Sequence, residues 1–205
     1  MPLVFRETGA GRPLLLIHGY FSTATTNWVR FGHAALLAAR GHRVIMPDLR
    51  GHGQSARPHE AAAYPPDVLV DDGFALIEQL GLADYDLGGY SLGGRVVIRM
   101  LARGALPGRA IAAGVGLEDI LHTAGQGAHF RHILTHLGTF QPGSGEWEAE
   151  AFLKTVGGDP LALLQVLETF VDTPREALAG IATPTLVLAG IDDQRSTEAL
   201  AAALP

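Results

Sequence analysis

Gly88-Gly89-Tyr90-Ser91-Leu92-Gly93-Gly94, the stretch GGYSLGG, stands between two apolar segments of different period. YDLGGY (85–90), which leads into it, reads as a buried strand, and LGGRVVIRMLARG, which leaves it, has helical spacing. A strand that turns directly into a helix at Gly-x-Ser-x-Gly decides the fold class, because such turns belong to alternating strands and helices around a mostly parallel sheet. The pattern alone is modest. With 26 glycines and five serines in 205 residues, chance supplies it about one time in twelve. The elements on both sides weigh against an ordinary helix-capping serine in a glycine-rich turn. So tight a turn has no room for Cβ atoms beside the serine, and Gly89 and Gly93 provide that room. The helix start also offers free N–H groups and a positive dipole end, which favour negative charge developing at Ser91.

Working outward, the same alternation recurs. PLLLIHG (13–19) reads as a buried strand, residues 26–40 as a helix closed by Gly41, and HRVIMPD (42–48) as the next strand. PPDVLVDDGFALIEQLG (65–81) reads as a helix with Pro at its start and Gly at its end. RAIAAGVG (109–116) and PTLVLAG (184–190) read as further strands, and STEALAAAL as a last helix. Residues 117–180 break the rhythm with His- and Gly-rich turns and helical pieces such as WEAEAFLKTV and PLALLQVLETFV. The expected architecture is therefore α/β, a mostly parallel, doubly wound sheet with a helical cap. Residues 1–116 and 181–205 form its core and 117–180 an insertion over one end of the sheet. In such sheets sites form at the carboxyl ends of strands.

Composition narrows the classes. Hydrophobic residues make up 47% and charged residues 18%, which suits one globular domain. A net charge of −6 without a basic run argues against a nucleic-acid partner. No apolar run approaches the roughly 20 residues of a membrane span. The start MPLVFRETGAGRP lacks the pattern of a signal peptide, so the cytoplasm is the expected compartment. There is no cysteine, hence no disulfide and no thiolate metal site. His129, His132 and His136 share one helix face, but a polar surface is preferred there over a metal site, and neither metal nor cofactor is expected. Oligomeric state is open.

Four motifs in register resemble the α/β-hydrolase family, and the resemblance runs from about residue 3 to 205. Gly89-Tyr90-Ser91-Leu92-Gly93 is similar to its nucleophile turn. His18-Gly19-Tyr20 resembles its oxyanion turn, which implies the backbone N–H groups of Tyr20 and Leu92 as oxyanion donors and His18 as a residue of turn geometry. Asp48-Leu49-Arg50-Gly51-His52-Gly53-Gln54-Ser55 resembles a loop whose role is mainly structural. Gly190-Ile191-Asp192-Asp193 resembles the motif that carries the triad acid, which implies Asp193, with Asp192 the near alternative. His18, Gly19, Phe21 and Tyr90 are expected around a substrate pocket. Trp28, Phe21 and Tyr20 are candidates for an acyl pocket, with plain core packing an equal reading.

The resemblance implies a hydrolase that cleaves an ester, thioester, lactone or activated carbonyl compound through an acyl-enzyme, without a cofactor. A serine nucleophile argues against the dehalogenase and epoxide-hydrolase branches, which use a carboxylate. Carbon–carbon bond hydrolysis, elimination and perhydrolysis use the same residues and stay open. The family's order is Ser, acid, His, and no histidine follows Asp193. His52 lies in a loop at the active end of the sheet, but its position already has a structural explanation. Removing the triad histidine costs roughly a millionfold in turnover in one serine protease. The simplest expectation is a piece of a longer hydrolase, which would leave PTLVLAG an uncovered edge strand prone to aggregation. A ligand-binding protein of the same fold, deficient in catalysis, is the competing expectation.

Overall fold

Residues 1–123, 125–191 and 196–204 are described by the structure, a computed structural model. Its strands are β1 (Phe5–Thr8), β2 (Arg12–Ile17), β3 (His42–Pro47), β4 (Asp86–Tyr90), β5 (Ala110–Ala113) and β6 (Thr185–Leu188). They form one sheet in the order β1-β3-β2-β4-β5-β6. β2 to β6 run parallel, and β1 pairs antiparallel with β3. The five expected strands are all present as β2 to β6.

β1 carries no sequence signal because FRET is polar and largely exposed. It is held from outside the hydrophobic pattern. Arg43 pairs with Glu7 at 2.6 Å, and Asp48 N–H donates to the Val4 carbonyl at 2.9 Å. The segment read as one helix over 26–40 is two pieces, a π-helical turn Thr25–Val29 and α1 (His33–Ala38). Gly32 separates them at φ 79°, a left-handed conformation that no helix interior accommodates. α2 (Val68–Gln79) starts three residues after Pro65, because Asp67 takes φ 62° behind the Pro65-Pro66 pair. α3 (Leu92–Ala102) begins directly after Ser91.

The central strands are buried on both faces, as parallel strands must be. Leu15 and Ile17 join the core under α2 and α3, while Leu14 and Leu16 join a second cluster with Val44, Met46 and Leu37 of α1. Each such leucine or isoleucine contributes about 1.5–3 kcal/mol on burial. At the sheet's other edge the cover ends, and Leu186 and Leu188 of β6 are exposed. Arg12, the first residue of β2, bonds through Nε to Asp86 Oδ2 at the start of β4, at 2.9 Å.

Between β5 and β6 the chain is helical: α4 (Leu117–Leu121), α5 (Ala128–Thr135), α6 (Gly145–Thr155), α7 (Pro160–Leu167) and α8 (Arg175–Ala179). Side-chain caps start two of these. Ser144 Oγ accepts from Trp147 N–H, and Asp159 Oδ1 accepts from Leu161 and Ala162 N–H ahead of Pro160. α9 (Thr197–Ala203) follows β6. Among the described residues no helix is long and apolar enough to cross a membrane.

Candidate active site

β2 and β4 are neighbours with Ile17 opposite Gly89, so the turns that leave them lie side by side at one end of the sheet. Ser91 sits at the summit of the β4–α3 turn with φ 54° and ψ −114°. A non-glycine residue there costs of order 1–3 kcal/mol and persists only where its surroundings enforce it. Here they do. Ser91 N–H donates to the Ala113 carbonyl of β5 at 2.7 Å, and Arg95 N–H donates back to the Ser91 carbonyl at 3.0 Å. The approach is so close that a Cβ on Gly89 would collide with the Gly93 carbonyl, and one on Gly93 with the Ile17 carbonyl.

The turn after β2 presses against this summit. A Cβ placed on Gly19 would stand 3.4 Å from Ser91 Cβ. His18 holds the turn's shape with both ring nitrogens. Leu49 N–H donates to Nε2 at 2.9 Å, which puts the proton on Nδ1, and Nδ1 donates to the Gly19 carbonyl at 2.8 Å. Full burial lowers the His18 pKa to about 4, against a smaller upward pull from the Gly19 carbonyl, so the ring stays neutral. Gly19 N–H is taken by Asn27 Oδ1 at 2.8 Å. The next two donors are uncommitted: among the described residues neither Tyr20 N–H nor Leu92 N–H donates a hydrogen bond.

Ser91, Tyr20 and Leu92 border one cavity of about 300 Å³. Its remaining wall includes Arg95, Asp119, Gln126, Phe130, Leu167 and Phe170. Arg95 was within reach of sequence reasoning, since it lies one helical turn beyond Ser91 on the same face. Phe130, Leu167 and Phe170 come from the helical segment and have no local signature, because its folding over the sheet sets their position.

The other sequence-predicted residues lie elsewhere. Asp193 and Asp192 are outside the described residues. His18 and Gly19 are buried behind the turn and do not border the cavity. Phe21 is in the core, stacked on Tyr20 at 4.8 Å between ring centroids. Tyr90 alternates to the opposite sheet face and is half exposed. Trp28 packs with Leu14 and Leu16 under α1, away from the site.

No histidine borders the Ser91 cavity among the described residues. His52 is fully buried, with Nδ1 donating to the Arg50 carbonyl at 3.0 Å. Burial, reinforced by neighbouring His18, lowers its pKa to about 3. The loop it belongs to is a structural knot. Asp48 accepts from Ala24 N–H and Gln54 N–H, Ser55 Oγ donates to the Asp48 carbonyl, and Arg50 forms a buried two-bond pair with Asp72 of α2. His129 and His132 sit on α5 and His136 is the residue just after its end, and the rings of His132 and His136 lie 4.5 Å apart.

Known proteins resemble this chain in sequence and fold. A protein from Bacillus subtilis, described as AB hydrolase superfamily protein YisY, is 40% identical over 102 residues, covering 49% of this chain and 36% of that protein. The 2-hydroxymuconate semialdehyde hydrolase of Pseudomonas sp. strain CF600 is 36% identical over 97 residues, covering 47% of this chain and 34% of that enzyme. The match thus takes in about a third of either relative's length. The solved structure of a thermophilic esterase from Thermogutta terrifontis superposes with a TM-score of 0.74 at 25% identity, over 99% of this chain and 81% of the esterase. The sequence profile of the alpha/beta hydrolase fold matches residues 12–119, which include the His18–Tyr20 turn, the Asp48–Ser55 loop and Ser91. The chain belongs to the alpha/beta hydrolase fold family.

Proposed function

We propose that the chain acts as a serine hydrolase on an ester or a related carbonyl compound. Ser91 Oγ attacks the carbonyl carbon and its proton passes to a general base. The tetrahedral oxyanion is held by Tyr20 N–H and Leu92 N–H. Collapse expels the alcohol or thiol and leaves an ester on Ser91, which water then hydrolyses. The acid is Asp193, with Asp192 as its neighbour, and the base that the family's order calls for is a histidine after the acid, which these 205 residues do not contain. One oxyanion donor is worth roughly 3–4 kcal/mol of transition-state stabilisation, because it meets charge absent from the ground state. Residues 117–180 act as a cap over the core formed by 1–116 and 181–205. No cofactor takes part, and the site of action is the cytoplasm.

The observation that carries this reading is the strained Ser91 at the edge of a cavity it shares with two uncommitted N–H groups. A fluorophosphonate probe tests it. Labelling that disappears in Ser91→Ala supports an activated serine, and no labelling of the folded chain counts against it. A second reading is favoured by the absence of histidine from the described cavity wall: a protein of this fold that binds a small ligand without turning it over. It predicts ligand binding with no labelling.

A further inference from the structure

A second and larger cavity, of about 820 Å³, adjoins the Ser91 cavity of about 300 Å³. Leu167 and Phe170 border both. These volumes fall at opposite ends of the usual range for small-molecule sites. Whether a substrate is confined to the smaller space therefore depends on two side chains.

Both side chains are held in place. Leu167, the last residue of α7, is buried, and the backbone of Gly127 lies against it: a Cβ on Gly127 would stand 3.1 Å from Leu167 Cδ2. Phe170 lies beneath the Arg95 guanidinium, 4.6 Å from the ring centroid, in a cation–π contact. Arg95 is anchored on α3 one turn from Ser91, so the partition is fastened to the same helix as the serine.

We infer that Leu167 and Phe170 form a partition that restricts Ser91 to substrates with short chains, and that these two residues determine chain-length specificity. The inference rests on Ser91 as the nucleophile. The preferred substrate is an ester whose acyl chain ends at the partition. A longer chain meets the rings and methyl groups of Phe170 and Leu167 instead of the open groove beyond them. Truncating either residue joins the two spaces and lets an apolar chain run into the groove.

The experiment measures labelling rates of the chain with butyl, hexyl and decyl fluorophosphonates, in the wild type and in Phe170→Ala, Leu167→Ala and the milder Phe170→Leu. Each methylene newly buried is worth roughly fourfold, so the decyl-to-butyl ratio is expected to rise by about tenfold or more in the truncated variants. The wild type is expected to label fastest with butyl. An unchanged ratio in variants that still melt cooperatively overturns the partition, as does a wild type that labels equally fast with decyl. Absence of labelling with all three probes sinks the nucleophile instead. The partition is then decided by binding of 2-butanone and 2-decanone, followed through backbone amide shifts. Tighter binding of the longer ketone only in the truncated variants upholds it, and the same gain in the wild type overturns it.

Discussion

The Tyr20 phenol donates a 2.6 Å hydrogen bond to the Leu163 carbonyl, so the residue proposed as an oxyanion donor is also tied to α7. Its ring sits edge-on to Phe130 of α5 at 4.8 Å and to His52 at 5.7 Å. One side chain thus joins the β2 turn, the Asp48–Ser55 loop and two helices of the 117–180 segment. Tyr20→Phe removes the bond and keeps the ring. It is expected to cost about 1 kcal/mol in urea unfolding and to slow fluorophosphonate labelling of Ser91 severalfold. A stability loss with unchanged labelling would show that the tie does not reach the serine.

Ser91 is held where L-residues are rarely found, and glycine has no Cβ to strain there. Ser91→Gly should therefore abolish labelling while raising stability by about 1 kcal/mol. The readout is the urea midpoint at constant m-value. A lower midpoint would mean that the serine hydroxyl contributes more to the fold than the strain removes.

Gly93 faces the opposite situation. Its missing Cβ is what lets α3 approach the Ile17 and His18 carbonyls, and backbone cannot step aside as a flexible side chain can. Gly93→Ala is expected to destabilise the fold by roughly 3 kcal/mol or more and to leave little folded protein to label. Gly104→Ala, with open space around that position but φ 95°, should cost less. Equal losses at the two sites would refute the role assigned to close approach.

Acid should weaken the fold before its carboxylates are protonated. His18 and His52 are buried and neutral, with pKa values lowered by burial from 6.5 to about 4 and about 3. Below pH 6.5 the unfolded chain takes up protons that the folded chain excludes. Their stabilising contribution is thus complete above about pH 6.5 and is lost as pH falls through about 4. Urea titrations from pH 7.5 to 4.5 should show a steady decline, shallower in His52→Leu. A flat wild-type profile over that window would contradict the assignment.

The sequence exposed the sheet through its apolar runs and the tight β4–α3 turn at Ser91 through its glycines, because both are local requirements. LLLI between Arg12 and His18 has to be a buried strand, and Gly89 and Gly93 have to be small. β1 was illegible because FRET is recruited by Arg43 and by the Asp48 N–H rather than by its own hydrophobic pattern. The break at Gly32 was hidden inside a good helical spacing, since one left-handed residue does not disturb the periodicity around it. Tyr20, Leu92 and Ser91 could be grouped from motifs. Phe130, Leu167 and Phe170 could not, because they reach the cavity only through long-range packing of α5 and of the chain at and beyond the end of α7.

The pairing of Arg12 with Asp86 has a consequence at the other end of the sheet. β2 and β4 run from that ion pair to the Tyr20 turn and to Ser91, with Leu14 opposite Asp86 and Ile17 opposite Gly89. A slip of one residue would move the two turns apart by about 3.3 Å, more than an oxyanion contact tolerates. The spacing between Ser91 and the Tyr20 turn is therefore gauged remotely, where the strands begin. Substitutions at Arg12 or Asp86 would detune the proposed chemistry at Ser91 without touching it.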